Sequence, residues 1–289
     1  MTVVTALAPY EDARGNRIVV EGPPAGIESA ALAIEFRGSN NTLTVTTPLR
    51  LDQLRVYFDC DNGRVALGPS RGVAAFSANI RVGQDAAVEI GRNVSSVASV
   101  LITAVEGAAV RIGDDVMFSA HNEIRTDDAH PIFDVRSGQR VNPARSVRVG
   151  DHVWFGRGAA ALSGATIDDG SVLGFRTVVT GAIPNNCVAA GAPARVVRRD
   201  IAWERPHLSR AAPFYKPDAS TVRRSPYWSR TDSATHPGVA RRVRRTARRT
   251  VRRQLGGRVR RRLERGGVAA ALARSTLLRG VVRMLLRRG

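Results

Sequence analysis

Between Val149 and Val179 an apolar residue stands at every sixth position: Val149, Phe155, Ala161, Ile167, Leu173 and Val179. Glycine follows directly at Gly150, Gly156 and Gly174, and a small or branched residue (Val147, Val153, Ala159, Ala165, Ser171, Thr177) stands two places before each. A helix would space its apolar positions by three and four, and a half-buried strand by two. A period of six suits short strands stacked as the flat faces of a triangular prism. Each aliphatic side chain then points into a narrow interior, and a glycine or small residue turns each corner. Upstream the pattern is looser: Val45, Leu67, Ile90 and Ile112 recur at intervals of 22, 23 and 22, inside the β-rich phrases 41–45, 63–67, 86–90 and 108–112. These read as successive coils with small corner insertions. Residues 16–199 would then form one prism, with 1–15 leading in. The competing arrangement is an antiparallel sandwich with regularly spaced strands.

The period breaks from about Asp127 to Arg145, which predicts an excursion loop at 127–145; a loop of that length without its own periodicity is more often functional than decorative. After Arg199 the pattern stops. Five prolines and scattered aromatics at 200–238 predict a closing segment followed by an irregular linker that packs partly on the prism.

Charge divides the chain in the same way. The sequence has 44 Lys+Arg against 25 Asp+Glu, a net charge of +19. Residues 239–289 hold 18 of those arginines and one acid, Glu264, so the body is close to neutral and the basicity belongs to a tail. Within the tail, Leu277, Leu278, Val281, Val282, Met284 and Leu285 fall on one side of a helix and Arg279, Arg283 and Arg287 on the other. A basic amphipathic helix of this kind suits an anionic membrane interface. Nucleic acid is the less expected partner, since a purely electrostatic arm has no need of so many aliphatics on one face; packing against the enzyme itself is the third reading. No stretch of about 18 apolar residues predicts a membrane span, and the first ten residues show no basic-then-apolar leader. The expectation is a cytoplasmic protein, peripheral at the inner face of the membrane. Cys60 and Cys187 are too few for a disulfide framework or a Cys-rich zinc site.

Two stretches carry a family likeness. Gly150-Asp-His-Val-Trp-Phe-Gly156, running on through Asn185-Asn-Cys-Val-Ala-Ala-Gly-Ala-Pro-Ala-Arg195, resembles the hexapeptide-repeat acyltransferases. Glu123-Ile-Arg-Thr-Asp-Asp-Ala-His130-Pro, followed by Asn142-Pro-Ala, resembles their sugar and polysaccharide O-acetyltransferase branch. The resemblance covers roughly 16–199 and is most specific over 121–199. It implies an all-β, left-handed parallel β-helix, to which the sequence adds a basic, partly helical C-terminal extension. It also implies acetyl-CoA as acyl donor, a sugar or glycan acceptor, and a homotrimer with active sites between neighbouring prisms. Ala161-Leu162 and Ile167-Asp168 depart from the pattern by lacking the glycine of a full hexapeptide.

Acyl transfer to an alcohol requires a base, a donor for the tetrahedral oxyanion and a cleft for the acyl carrier. Of the five histidines, His130 lies in the acidic, proline-containing start of the excursion, and the resemblance makes it the general base; imidazole titrates near working pH. His121 is a second candidate base, and His152 is expected at a solvated corner. Among Asp127, Asp128 and Asp134, Asp128 is the expected partner of the His130 imidazole. Trp154 matches a tryptophan that lines the active site in the resembling enzymes, where an indole supplies a flat wall and one N–H donor. The resemblance puts coenzyme A along the last coils, against Trp154, Gly174, Gly191 and Ala192, with Arg195 and Arg198 suited to its phosphates. Carbonic anhydrases on this fold place three histidines on zinc, but the histidine spacing here lacks the required short His-x-x-x-x-His pair, so no metal is expected. A non-catalytic scaffold that binds a polyanion or membrane through its tail, and transfer to an amino sugar nitrogen, are the alternatives.

Overall fold

The computed structural model describes residues 2–23 and 26–232; the basic tail at 239–289, with its expected amphipathic helix, lies outside them. The described residues are almost wholly strand, turn and bend. Parallel strands stack into three faces, and the chain visits the faces in a fixed order. The first face runs through Ile27–Phe36, Leu49–Phe58, Phe76–Val82, Val100–Ala104, Glu123–Arg125, Ala160–Ala161 and Val178–Val179. The second runs through Arg17–Glu21, Thr42–Thr46, Arg64–Leu67, Ala87–Ile90, Ala109–Ile112, Val147–Val149, Thr166–Ile167 and Ala182–Ile183. The third opens at Ser95–Ser96 and continues through Met117–Phe118, Trp154–Phe155, Val172–Leu173 and Val188–Ala190. Antiparallel strands close both ends: Thr2–Val4 and Tyr10–Glu11 at one, Arg195–Arg198 at the other.

The spacing seen in the sequence is the register of these rungs. Val45, Leu67, Ile90, Ile112, Val149, Ile167 and Ile183 are successive Cα partners on the second face, and all are buried. The six-residue period downstream takes one inward residue from each face in turn, so that Val149 meets Ile167 after one coil and Phe155 meets Leu173. Phe118 and Phe155 fill the third-face interior with ring centroids 4.7 Å apart. The upstream coils differ from the expected prism with small corner insertions. Their first-face strands reach ten residues, Leu49–Phe58 with much of the buried–exposed alternation of an ordinary sheet, and the third face has no described strand before Ser95.

Corners need backbone that most residues avoid. Asn40, Asn62 and Asp85 take positive φ between the first and second faces; Asn93, Asp115, His152 and Asn186 do so between the second and third. Short polar side chains tolerate this region best. Glycine is required for a different reason at Gly113, where a Cβ would lie 2.6 Å from the carbonyl carbon of Gly150 on the next rung. That close approach lets carboxylates cap the rungs: Asp114 accepts from the Arg92 amide at 2.7 Å, Asp151 from that of Asp114 at 2.9 Å, and Asp169 from that of Asp151 at 3.0 Å.

Because each face of these coils buries only two side chains per turn, each stacked on fixed neighbours, a truncated side chain has no neighbour free to collapse into the gap. Phe155→Ala is expected to lower unfolding free energy by about 3–5 kcal/mol, measured by urea denaturation. A loss under about 1 kcal/mol would mean that the aromatic column is not the core of these coils.

Candidate active site

The 127–145 excursion leaves the corner between the first and second faces, after Glu123–Arg125 and before Val147–Val149. Its base is fixed to the rung below, where the Thr126 amide donates to the Thr103 carbonyl at 3.0 Å and the Val105 amide to the Thr126 hydroxyl at 3.1 Å. Asn142 organises the interior of the loop. Its amide nitrogen donates to the Asp128 carboxylate at 3.0 Å and to the His130 carbonyl at 2.9 Å, while its oxygen accepts from the Ile132 amide at 2.7 Å. Arg140 reaches back 2.6 Å to Glu106, which also accepts from the Ala144 amide. The Arg140 guanidinium, with the Ala144 amide, holds the Glu106 carboxyl below its usual range. Asp134 is likewise held low, by the Ser137 amide and hydroxyl in the tip turn. His130 is therefore presented, exposed, by an ordered loop.

Asp128 and His130 are joined directly by the backbone, the His130 amide donating to the Asp128 carbonyl at 2.8 Å, and again by the Asn142 amide; none of the loop's hydrogen bonds is an Asp128–imidazole contact. Asp127 is the more buried of the two neighbouring acids, at 6% exposure; its Oδ2 accepts from the Ala129 amide at 2.8 Å and its Oδ1 has no partner among the described residues. In the sequence Asn142 is marked only by the Asn142-Pro-Ala motif, and nothing in its spacing announces this role.

Trp154 projects from the outer side of the third face, between Met117 and Val172 on the adjoining rungs, and is 38% exposed. It leans on Trp203 of the closing segment, with ring centroids 5.9 Å apart and planes tilted by 44°. Trp203 is in turn part of a clasp around His152. Contrary to the expected solvated corner, His152 is 2% exposed and sandwiched between Trp203 at 4.0 Å and Tyr227 at 4.6 Å. Its Nδ1 lies 2.6 Å from Asp115 and its Nε2 2.9 Å from the Trp203 carbonyl, so both ring nitrogens face acceptors. Trp203 returns a bond from its indole nitrogen to the His152 carbonyl at 2.9 Å. Arg205 completes the clasp, with Nε on Asp115 at 2.6 Å and other donors on Ser95 and on the carbonyls of Asn93, Asp115 and Val116. Burial works against the Asp115 carboxylate, but His152 and Arg205 outweigh it and hold its pKa below the usual value. Burial, with Asp151, Asp115, Asp114 and Asp169 around it, pushes the Tyr227 hydroxyl up to about 12.

The remaining candidates lie toward the C-terminal end. Gly174 directly follows the third-face rung above Trp154, and its amide donates to the Ala189 carbonyl at 2.8 Å. Gly191 has φ +95° and Ala192 follows it, both exposed. Arg195 and Arg198 are exposed at the two ends of the closing strand. Trp154, Gly174, Gly191 and Ala192 thus share the third face and its exit corner. His130 and Asp128 belong to the opposite edge, where the first face meets the second. His121 lies at the third-to-first corner, with Nε2 3.5 Å from Arg157. Among the described residues no group of three or more His, Cys, Asp or Glu side chains is placed to hold a metal, and no helix is long and apolar enough to cross a membrane.

This is the architecture of known enzymes. No family model matches the chain. The polysialic acid O-acetyltransferase of Neisseria meningitidis is 30% identical over 149 residues, which cover 44% of this chain and 68% of that protein. The chain belongs to the hexapeptide-repeat O-acetyltransferases. Galactoside O-acetyltransferase of Escherichia coli K12 is 36% identical over 111 residues, 38% of this chain and 53% of that enzyme. The polysialic acid O-acetyltransferase of Escherichia coli O1:K1 is 35% identical over 96 residues, 33% of this chain and only 31% of that protein. The crystal structure of the polySia-specific acetyltransferase NeuO superposes with a TM-score of 0.60 at 30% identity, covering 67% of this chain and 86% of that one. As in this hexapeptide-repeat family, the solenoid is a left-handed parallel β-helix.

The clasp makes two predictions. Arg205→Met should lower stability by on the order of 2 kcal/mol, since it strands half-buried acceptors, and should speed proteolysis within 206–230. An unchanged cleavage rate would show that the closing segment is held by other contacts. Because the folded pKa of Asp115 is depressed, its contribution is present above the unfolded value of about 3.9 and is lost as pH falls through the lower folded value. Trp203 fluorescence should therefore report release of the segment below about pH 4, and Asp115→Asn should remove that pH dependence.

Proposed function

We propose that this protein transfers an acetyl group from acetyl-CoA to a hydroxyl of a sugar or glycan, with His130 as general base. Family membership supports the reaction class, and the observation that carries the reading is an exposed histidine on an ordered excursion at the level of the coil that bears Trp154. In this reading the His130 imidazole accepts the proton of the acceptor hydroxyl as its oxygen attacks the thioester carbonyl. The indole N–H of Trp154 donates to the tetrahedral oxyanion. Collapse of that intermediate breaks the carbon–sulfur bond, and the imidazolium returns its proton to the departing thiolate. Gly174, Gly191 and Ala192 let the pantetheine arm approach the backbone, while Arg195 and Arg198 meet the nucleotide phosphates. Asp128 supports His130 through Asn142.

The protein acts as a homotrimer. Supporting this, His130 and Trp154 lie on opposite sides of one prism, so a site that uses both requires the third face of one copy against the loop-bearing edge of the next. The tail at 239–289 brings the enzyme to an anionic membrane surface on the cytoplasmic side, where a glycan acceptor under assembly would be found.

Thiol release from acetyl-CoA in the presence of sugar and glycan acceptors tests the reading. His130→Ala is expected to lower kcat by roughly 100-fold or more with acetyl-CoA binding retained. Trp154→Phe, which keeps the wall and removes the donor, should cost on the order of 100-fold. Turnover by His130→Ala at the wild-type rate would overturn the assignment of the base.

A further inference from the structure

Several outward arginines on the coils are paired with a carboxylate, as in Arg37 with Glu35, Arg50 with Glu28, Arg81 with Asp59 and Arg111 with Glu89. Arg17 and Arg64 are different. Both are exposed at the start of second-face strands, two rungs apart through Thr42, and among the described residues neither guanidinium has an ion-pair partner. They line one groove of about 450 Å³ together with Asn40, Thr42, Asn62 and Asp85. The one carboxylate there is engaged, because Asp85 accepts from the amides of Asn62 at 2.8 Å and Gln84 at 3.1 Å. The groove therefore offers two guanidinium groups outside any ion pair, with the Asp85 carboxylate held by amides and Glu11 across the neighbouring strand from Arg17, and with amide and hydroxyl groups between the two arginines.

Its position is the second observation. Asn40, Asn62 and Asp85 turn the corner between the first and second faces, and the His130 excursion leaves the prism at that same corner. The rungs from Arg64 to Val147 are consecutive, through Ala87 and Ala109. At a spacing of about 4.8 Å per rung, Arg64 lies roughly 14 Å and Arg17 roughly 24 Å below the rung of the loop.

We propose that this groove is a remote subsite for an extended acidic glycan, whose carboxylates pair with Arg17 and Arg64 while a hydroxyl further along the same chain reaches His130. Guanidinium forks match carboxylates in charge and in geometry. Asn40 and Asn62 serve the hydroxyls of the intervening sugars. Thr42 leaves room for the chain to pass between the two arginines. A short or neutral acceptor reaches the loop without this groove, so the groove selects for length and charge. The proposal rests on the acetyltransferase reading for its purpose, but its test does not depend on turnover.

The test is calorimetric titration of the full chain with a short polygalacturonate fragment and with its carboxyl-reduced, neutral counterpart. The double variant Arg17→Gln/Arg64→Gln is expected to raise Kd for the acidic fragment about tenfold. Arg111→Gln, which removes an ion-paired arginine, should leave Kd unchanged. The neutral polymer should bind none of them. Equal affinity of wild type and double variant would assign polyanion binding to the arginines of 239–289 and overturn the proposal; so would the absence of binding to wild type. A groove that binds beside a His130 that does no chemistry would leave this subsite standing and remove the proposed function alone.

Discussion

Everything in this molecule depends on the register between parallel rungs. Each strand hydrogen-bonds to the one a coil earlier, so an inward residue must stack on its counterpart: Ile90 on Leu67, Ile112 on Ile90, Val149 on Ile112. A slip by one position would turn every side chain of a rung from the interior to solvent. The aliphatic columns therefore fix the coil length, and the coil length fixes the corners. At the corners the backbone enters the left-handed region, and polar residues gather there because they tolerate it and can cap the next rung. The column from Asp114 through Asp151 to Asp169 is one product of that constraint, and the buried His152 beside it is another.

A solenoid built this way can change function only where the register is not at stake. The 127–145 excursion is such a place: Arg125 closes one first-face strand, Val147 opens the next second-face strand, and the intervening chain leaves both pairings intact. The outward side of the third face is another, where the part-exposed Trp154 has no packing task in the interior of its coil. These two sites lie on opposite sides of the prism. In the proposed function, chemistry that uses both is chemistry between copies, and the closing segment reaches Trp154 on one of those sides through Trp203.

The interior was legible in the sequence because its contacts repeat: the residues 18 and 22 positions apart that share a column announce themselves by period alone. The loop was legible as the place where the period fails. The clasp was not, since Trp203 and Tyr227 reach His152 across 51 and 75 residues of chain with no periodicity to mark the pairing. A histidine at a corner reads as solvated unless the segment that covers it is known. The N-terminal coils were legible in register but not in shape, because Val45 and Leu67 mark the second face and say nothing of the ten-residue strands opposite. Three acidic residues stand near His130 in the sequence, and spacing alone does not show that Asn142, twelve residues beyond His130, bonds both the Asp128 carboxylate and the His130 carbonyl.

The central claim is that His130 of one copy and Trp154 of the next form a single acyl-transfer site. Co-expression of His130→Ala with Trp154→Ala tests it directly, by comparing the mixed assemblies with each variant alone. In a cyclic trimer assembled at random from equal amounts, about a quarter of the sites would pair an intact His130 with an intact Trp154 across an interface. The account predicts that roughly this share of wild-type turnover returns on mixing, from variants that are each nearly inactive. Mixed assemblies no more active than the separate variants would place both residues in a site within one chain and contradict it.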